Sequence, residues 1–204
     1  MRLFAKISAI TQFLPREQKA FLDAYPHVEV HLEERISTFI ARAVAEAAAD
    51  IGIVSLLPPE LTLETFAYRF DHLSLITPSD HPLARCRSVS FAETLQFDYL
   101  GLHAGSSINL QLAKAAAELA RPLRLRIQLT GYDALCSMVE AGLGVALLPE
   151  TIAKRNARTA SIHVVRLDEP WAQRELRICV RSYAALSVAA RLLVDHLGRE
   201  SSVP

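Results

Sequence analysis

The stretch VEVHLEERISTFIARAVAEAAADIGIV, residues 28–54, decides the fold. Val28, Val30 and Leu32 alternate with Glu29, His31 and Glu33, which is the period of a strand with one buried face. Ser37 then suits the N-cap of a helix that buries Phe39, Ile40, Ala43, Val44 and Ala47. Asp50-Ile-Gly-Ile-Val54 follows as a strand buried on both faces. Strand, helix and buried strand in succession predict a parallel sheet wrapped by helices.

The same rhythm extends in both directions. Upstream, Arg2–Ser8 reads as a strand, and Phe13, Leu14, Phe21, Leu22 and Tyr25 recur at helical spacing, with Pro15 in the first turn and Tyr25-Pro26 as the stop. Downstream, the apolar runs Leu61–Tyr68 and His72–Thr77 flank Arg69 and Asp71 and end at Pro78, where the character of the chain changes. Beyond Phe91 the pattern restarts with a strand at Tyr99–Leu102, a helix over Ser107–Ala120 and a strand over Leu123–Leu129. Asp133 suits the cap of a helix burying Ala134, Leu135, Met138 and Val139, which Gly142 terminates; Gly144–Leu148 is a buried strand, and Pro149 opens the next helix. Leu176–Val180 is a late strand, and Leu186, Ala189, Ala190, Leu193, Val194 and Leu197 line one face of a terminal helix. These patterns predict two βα lobes joined by two crossing strands, with residues 1–77 and 182–204 in the first lobe and 78–181 in the second. Such a fold closes around ligands by hinge motion.

Composition narrows the function. A chain of 204 residues that is 51% hydrophobic and 22% charged builds a sizeable core, and only Glu200–Pro204 reads as a disordered tail. Lys+Arg and Asp+Glu both number 22, so no overall basic field attracts a polyanion. Cys86, Cys136 and Cys179 are odd in number, widely spaced and without a CxxC pair, which argues against a disulfide framework or structural zinc and fits a reducing cytoplasm. Lys6, Gln12 and Arg16 interrupt the apolar start MRLFAKISAITQFLP, no signal-peptide cleavage site follows, and no stretch reaches transmembrane length.

Four segments resemble the effector-binding domain of LysR-type bacterial transcriptional regulators in order and spacing: FLPREQKAFLDAYPHVEVHLEE at residues 13–34, ADIGIV ending at Val54, DHPLA at Asp80–Ala84, and MVEAGLGVALLP at Met138–Pro149. The resemblance covers essentially the whole chain. It implies an α/β fold of two Rossmann-like lobes of the type II periplasmic-binding-protein kind, closing on a small-molecule effector in the interlobe cleft. It also implies a homodimer or higher homo-oligomer, with the helix at Phe13–Tyr25 pairing against the region after Ser107 of a second copy. DNA would be reached only through an N-terminal winged helix-turn-helix, which is absent from this chain.

Ligands of doubly wound lobes sit beyond the carboxyl ends of strands, where helix N-termini offer N–H groups to anions. Four loops qualify here: those at Ser8, at Ser37, at Gly105-Ser106-Ser107-Ile108 and at Gly131-Tyr132-Asp133. Matching the family's effector-contacting loops onto this sequence implies Ser8, Ser37, Ser107, Ile108 and Tyr132 as contacts, with Ser106 beside them. Hydroxyls and N–H groups suit a small carboxylate, while Ile108 and Tyr132 supply an apolar wall for an aromatic acid. Arg35 adds a charge-assisted hydrogen bond if it points into the cleft. Ser37 and Asp133 equally fit the ordinary role of helix caps, and Tyr132 that of a packed aromatic.

No catalytic constellation stands out: G-x-S-x-G, HExxH and Walker patterns are missing, and Gly142-Leu-Gly144 leads from helix into strand, the wrong context for a dinucleotide loop. His27 and His31 have no further metal ligand at suitable spacing, so no metal and no cofactor are expected. Arg124 and Arg126 read as a solvated face or a subunit contact, and Cys136 as an inert buried thiol, with a redox-sensing role as the alternative. The expectation is a cytoplasmic effector sensor that catalyses nothing and does not enter a membrane. A solute-binding module for transport shares the fold and is the alternative, and a small α/β enzyme is the third reading.

Overall fold

The structure is a computed structural model and describes residues 1–199. The tail expected to be disordered, Glu200–Pro204, lies outside the described residues. The chain forms two compact units, Met1–Phe70 with the chain from Glu175 on, and Asp71–Arg174. It passes from one to the other twice, once within β4 (Glu64–Pro78) and once within β10 (Gln173–Val180). The boundaries expected from sequence, 77/78 and 181/182, fall at the end of β4 and just past β10.

In the first unit the elements are β1 (Arg2–Ala5), α1 (Ile7–Gln12), α2 (Leu14–Ala24), β2 (His31–Glu34), α3 (Ser37–Ala45), β3 (Ile51–Val54) and the first part of β4 (Glu64–Pro78). β1 lies between β2 and β3 and runs parallel to both, as the strand and helix rhythm predicts. The far side of β3 pairs antiparallel with β10, in the register Ile178↔Ile53.

Alternation along the strands creates two cores. Leu3, Ala5, Ile51, Ile53, Ile178 and Val180 point to one face and pack with Leu14, Phe21, Leu193 and Leu197 of the flanking helices. Phe4, Val54 and Cys179 point to the other, against Ile40 and Val44 of α3. Gly52 permits that second contact: a Cβ there would lie 2.6 Å from Ile40 Cγ2 and 2.7 Å from Cys179 Sγ. A charged network is buried beside the first core, where Glu17 accepts from the Tyr68 hydroxyl and, at 2.6 Å, from Arg69 Nη2.

The second unit continues through the rest of β4, a 3₁₀ turn at Pro82–Arg85, β5 (Ser88–Val89), α4 (Phe91–Thr94), β6 (Tyr99–Leu102), α5 (Ser107–Glu118), β7 (Leu125–Leu129), α6 (Tyr132–Glu140), β8 (Ala146–Pro149), α7 (Glu150–Asn156) and β9 (Ile162–Leu167). β4 sits between β8 and β9, antiparallel to each, and β5 adds parallel to β9. β6 and β7 pair in parallel. Gly142, with φ +78°, follows the C-terminus of α6 and turns the chain into β8, as the sequence predicts. After β10 (Gln173–Val180), the first unit closes with α8 (Val188–Arg199).

Several details differ from the sequence reading: β2 begins only at His31, Phe39 is 49% exposed on α3, Ala47 lies exposed beyond the end of that helix, and Ala134 is exposed on α6. The first strand stops at Ala5, not Ser8: Lys6 is still extended, but its carbonyl accepts from the N–H groups of Ala9 and Ile10, so the chain is already turning into α1. The runs 61–68 and 72–77 are parts of one strand, β4, because Arg69 and Asp71 find partners inside the protein and do not break it.

Candidate functional site

In the first unit, three chain segments leave the sheet at the carboxyl ends of its parallel strands. Lys6 follows β1, Arg35 follows β2 and Ser55 follows β3. Backbone hydrogen bonds hold these exits together: the Lys6 N–H donates to the Ile53 carbonyl at 3.2 Å, and the Arg35 N–H donates to the Ala5 carbonyl at 3.1 Å. Side chains continue the connection. Lys6 Nζ donates to Ser55 Oγ at 2.7 Å, and the Ser55 N–H donates to Ser37 Oγ at 3.3 Å. Lys6 is only 5% exposed, so its ammonium sits inside the protein against the Ser55 hydroxyl, an environment in which a charge demands polar partners.

The structure places the predicted residues as follows. Ser8 lies in the first turn of α1, not in a loop, and is fully buried; its Oγ has no hydrogen-bond partner. Ser37 is the first residue of α3. The cap is Ile36, with extended backbone, so Ser37 does not cap the helix and instead uses its Oγ toward Ser55. Arg35 points its guanidinium at Glu33, with Nη2 2.5 Å from Oε2 and Nη1 donating to the Glu34 carbonyl at 2.8 Å. Its guanidinium carbon also lies 5.7 Å from the centre of the Phe39 ring, within cation–π range.

In the second unit, the parallel pair β6 and β7 sends two helices off from the same end. Leu102 pairs with Leu129, α5 follows the first strand and α6 the second. Ser106 is the N-cap of α5, its Oγ accepting from the Asn109 N–H at 3.2 Å. Asn109 reaches back with Nδ2 to the Leu102 carbonyl, tying the first turn of α5 to the end of β6. Ser107 is half-buried at the first position of the helix, and Ile108 is buried behind it. Tyr132 is the first residue of α6 and is buried. Gly131 is the N-cap of α6, so Asp133 is a first-turn residue and not the expected cap. There its carboxylate opposes the positive end of the helix dipole.

The structure thus joins Lys6, Ser37 and Ser55 in one chain of hydrogen bonds in the first unit, and sets Ser106, Ser107, Ile108 and Tyr132 at two neighbouring helix starts in the second. Lys6 and Ser55 were missed by sequence reasoning. The only available signal was a lysine inside an apolar strand-to-helix run, which reads equally as an interruption of that run.

Other candidates resolve simply. Burial, followed by the nearby Asp133 charge, pushes the Cys136 thiol up to about 11, so its position near the start of α6 does not make it reactive. Arg124 and Arg126 are exposed, and Arg126 pairs with Asp98 at 3.2 Å. His27 and His31 are exposed, and His31 contacts Glu33 at 3.0 Å. Among the described residues no helix is long and apolar enough to cross a membrane.

With this geometry in place, comparison with known proteins defines the class. The family model described as the LysR substrate binding domain matches residues 1–202, and the chain belongs to that family. It is 26% identical over 176 residues to the "Probable RuBisCO transcriptional regulator" of Emiliania huxleyi, covering 83% of this chain and 56% of that protein. The corresponding Synechocystis protein is also 26% identical over 176 residues, with 83% of this chain and 51% of that protein covered. The chain therefore spans about half the length of the curated relatives it matches.

Among solved structures, the Synechocystis CcmR regulatory domain in complex with 2-PG superposes with a TM-score of 0.89 at 22% identity, over 99% of this chain and 97% of that one. The effector binding domain of QuiR with shikimate gives 0.83 at 16% identity, over 98% and 96% of the two chains. The fold is that of the LysR-type effector-binding domains, the type II periplasmic-binding-protein-like α/β fold expected from the sequence.

Proposed function

We propose that this chain is the effector-sensing domain of a LysR-type transcriptional regulator, binding a small molecule without transforming it. The observation that carries the reading is the family match over residues 1–202, in a chain whose parallel strands deliver polar residues to helix starts in each unit. Ser8, Ser37 and Arg35 are the proposed contacts from the first unit, and Ser106, Ser107, Ile108 and Tyr132 those from the second. Arg35 would have to leave Glu33 to reach a ligand. Related domains are seen with 2-PG, shikimate and benzoate, which supports a small effector here, with a carboxylate or aromatic acid as the class.

Binding favours one conformation of the sensor over another by its difference in affinity for the two, and DNA-binding domains outside this chain respond. Assembly as a homodimer or higher homo-oligomer in the cytoplasm belongs to the same proposal, as does contact with DNA only through those outside domains. The curated relatives are transcriptional regulators, which favours sensing over solute capture for transport and over catalysis. The test is native mass spectrometry with thermal-shift screening of the chain against benzoate, shikimate and small phosphate esters. Saturable binding without turnover, weakened by Ser107→Ala, supports the reading; turnover of a bound molecule overturns it.

A further inference from the structure

We propose that the first unit holds a second ligand site, for a small zwitterionic α-amino acid, at the end of its sheet opposite the effector residues. A cavity of about 100 Å³ lies there, where the end of α3, the residue before β3 and the chain between β10 and α8 meet. Asp50 precedes β3 and Ser55 follows it, so the cavity is roughly 16 Å along the strand from Ser55. Its volume holds roughly seven to ten water-sized groups, the scale of alanine or serine.

Charge placement carries the argument. Cys179 pairs with Gly52 in the antiparallel ladder of β10 and β3, and two more steps along that register bring Arg181 opposite Asp50. Opposite charges placed so across two strands ordinarily attract each other directly. Here both line the cavity, and Arg181 forms an ion pair with no carboxylate among the described residues. Asp50 is held from the other side: its Oδ2 accepts from the Arg2 N–H at 2.6 Å, while Oδ1 has only the Arg2 Nη2 contact at 3.8 Å. That same Nη2 is committed to the Ala47 carbonyl, at 2.7 Å. One cavity thus presents an underused carboxylate oxygen and an unpaired guanidinium.

The two charges select the ligand. A simple anion would meet the Asp50 carboxylate, and a simple amine would meet the Arg181 guanidinium. An α-amino acid carries both complements one carbon apart. Its ammonium, with three donors, goes to Asp50 Oδ1 and to the carbonyls of the last turn of α3, the negative end of that helix. Its carboxylate goes to the planar fork of Arg181 and the hydroxyls of Ser182 and Ser187. Ser187 Oγ accepts from the Ala190 N–H at 3.3 Å and so keeps its own hydrogen to give. Val44, Ala185 and Leu186 form the apolar part of the wall, which suits a short side chain.

The experiment is a titration of the chain with L-alanine and L-serine, followed by calorimetry and ligand-observed NMR. Propionate and ethylamine, which each lack one of alanine's two charges, are titrated in parallel. The variants are Arg181→Gln, Ala185→Leu and, as a control at the effector residues, Ser107→Ala, with thermal melts to confirm that each is folded. Saturable binding of at least one amino acid is expected in wild type and in Ser107→Ala. It should weaken about tenfold in Arg181→Gln and vanish in Ala185→Leu, whose side chain fills the cavity; propionate and ethylamine should bind at least tenfold more weakly than alanine. Should Ala185→Leu fail to fold, Arg181→Gln carries the test. Absence of saturable amino-acid binding, or equal binding in wild type and the folded cavity variants, overturns the inference. Binding of propionate or ethylamine as tight as that of alanine overturns it as well, as does amino-acid binding that Ser107→Ala alone abolishes.

Discussion

Arg174 holds Asp71 end-on, with Nε donating to Oδ1 at 2.7 Å and Nη2 donating to Oδ2. The two residues belong to β10 and β4, the strands that carry the chain between its units, and their side chains are 9% and 2% exposed. A buried ion pair stabilises little relative to apolar residues of the same shape, but breaking one side strands a charge. Arg174 already has a buried Nη1 without a hydrogen bond, so it has little capacity to make good a loss. Asp71→Ala is expected to cost about 3–5 kcal/mol, read as a lowered melting temperature. Asp71→Leu combined with Arg174→Met should cost clearly less, and a double variant as unstable as the single one would contradict this account of the pair.

Close packing at Gly52 gives a second prediction. A Cβ at this position meets Ile40 at 2.6 Å and Cys179 at 2.7 Å, below any ordinary contact distance, so α3 must move off the sheet. Gly52→Ala should destabilise by about 1–3 kcal/mol in denaturant unfolding. Because α3 carries Ser37, the variant should also weaken effector binding. Unchanged stability would mean that the helix has room to retreat.

The three cysteines should behave differently. Cys86 is exposed, whereas burial pushes Cys136 up to about 11 and Cys179 up to about 12. At pH 8 a thiol-specific reagent should modify Cys86 alone in the folded chain, and all three cysteines in denaturant. These thiols also make stability depend on alkali. The unfolded chain gives up their protons near pH 9 while the folded chain keeps them, so it is the native state that binds more protons above that pH. Their contribution is fully present below pH 9 and declines as pH rises toward about 11 and about 12. Replacing both with alanine should flatten this part of the stability profile; an unchanged slope would assign the loss to other groups.

Much of the fold could be read from the sequence because it depends on local periodicity. The alternation at 28–33, the apolar face of α3 and the uninterrupted run at β3 each reflect burial that neighbouring residues share. Gly142 was legible for a similar reason, since a positive φ after a helix favours glycine. β4 was read as two pieces because Arg69 and Asp71 look like breaks until Glu17 and Arg174, distant in sequence, are brought beside them.

The site was legible only in part. The loops were placed from family motifs and from where strands end, but Lys6 and Ser55 are 49 residues apart and meet only because β1 and β3 are sheet neighbours. Ser37 and Asp133 were read as caps from residue type, while the residues with extended backbone before the helices are Ile36 and Gly131. Cap assignment depends on which residue leaves the helical conformation first, and that follows from the path of the preceding strand.

This chain is proposed to sense a small molecule. The most direct measurement is a calorimetric titration of the chain with benzoate, shikimate and phosphate, repeated with Ser107→Ala and accompanied by product analysis. The predicted result is saturable binding of at least one of them, unchanged recovery of the ligand, and affinity reduced about tenfold by the substitution. Conversion of the ligand to product, or no binding by any of the three, would contradict it.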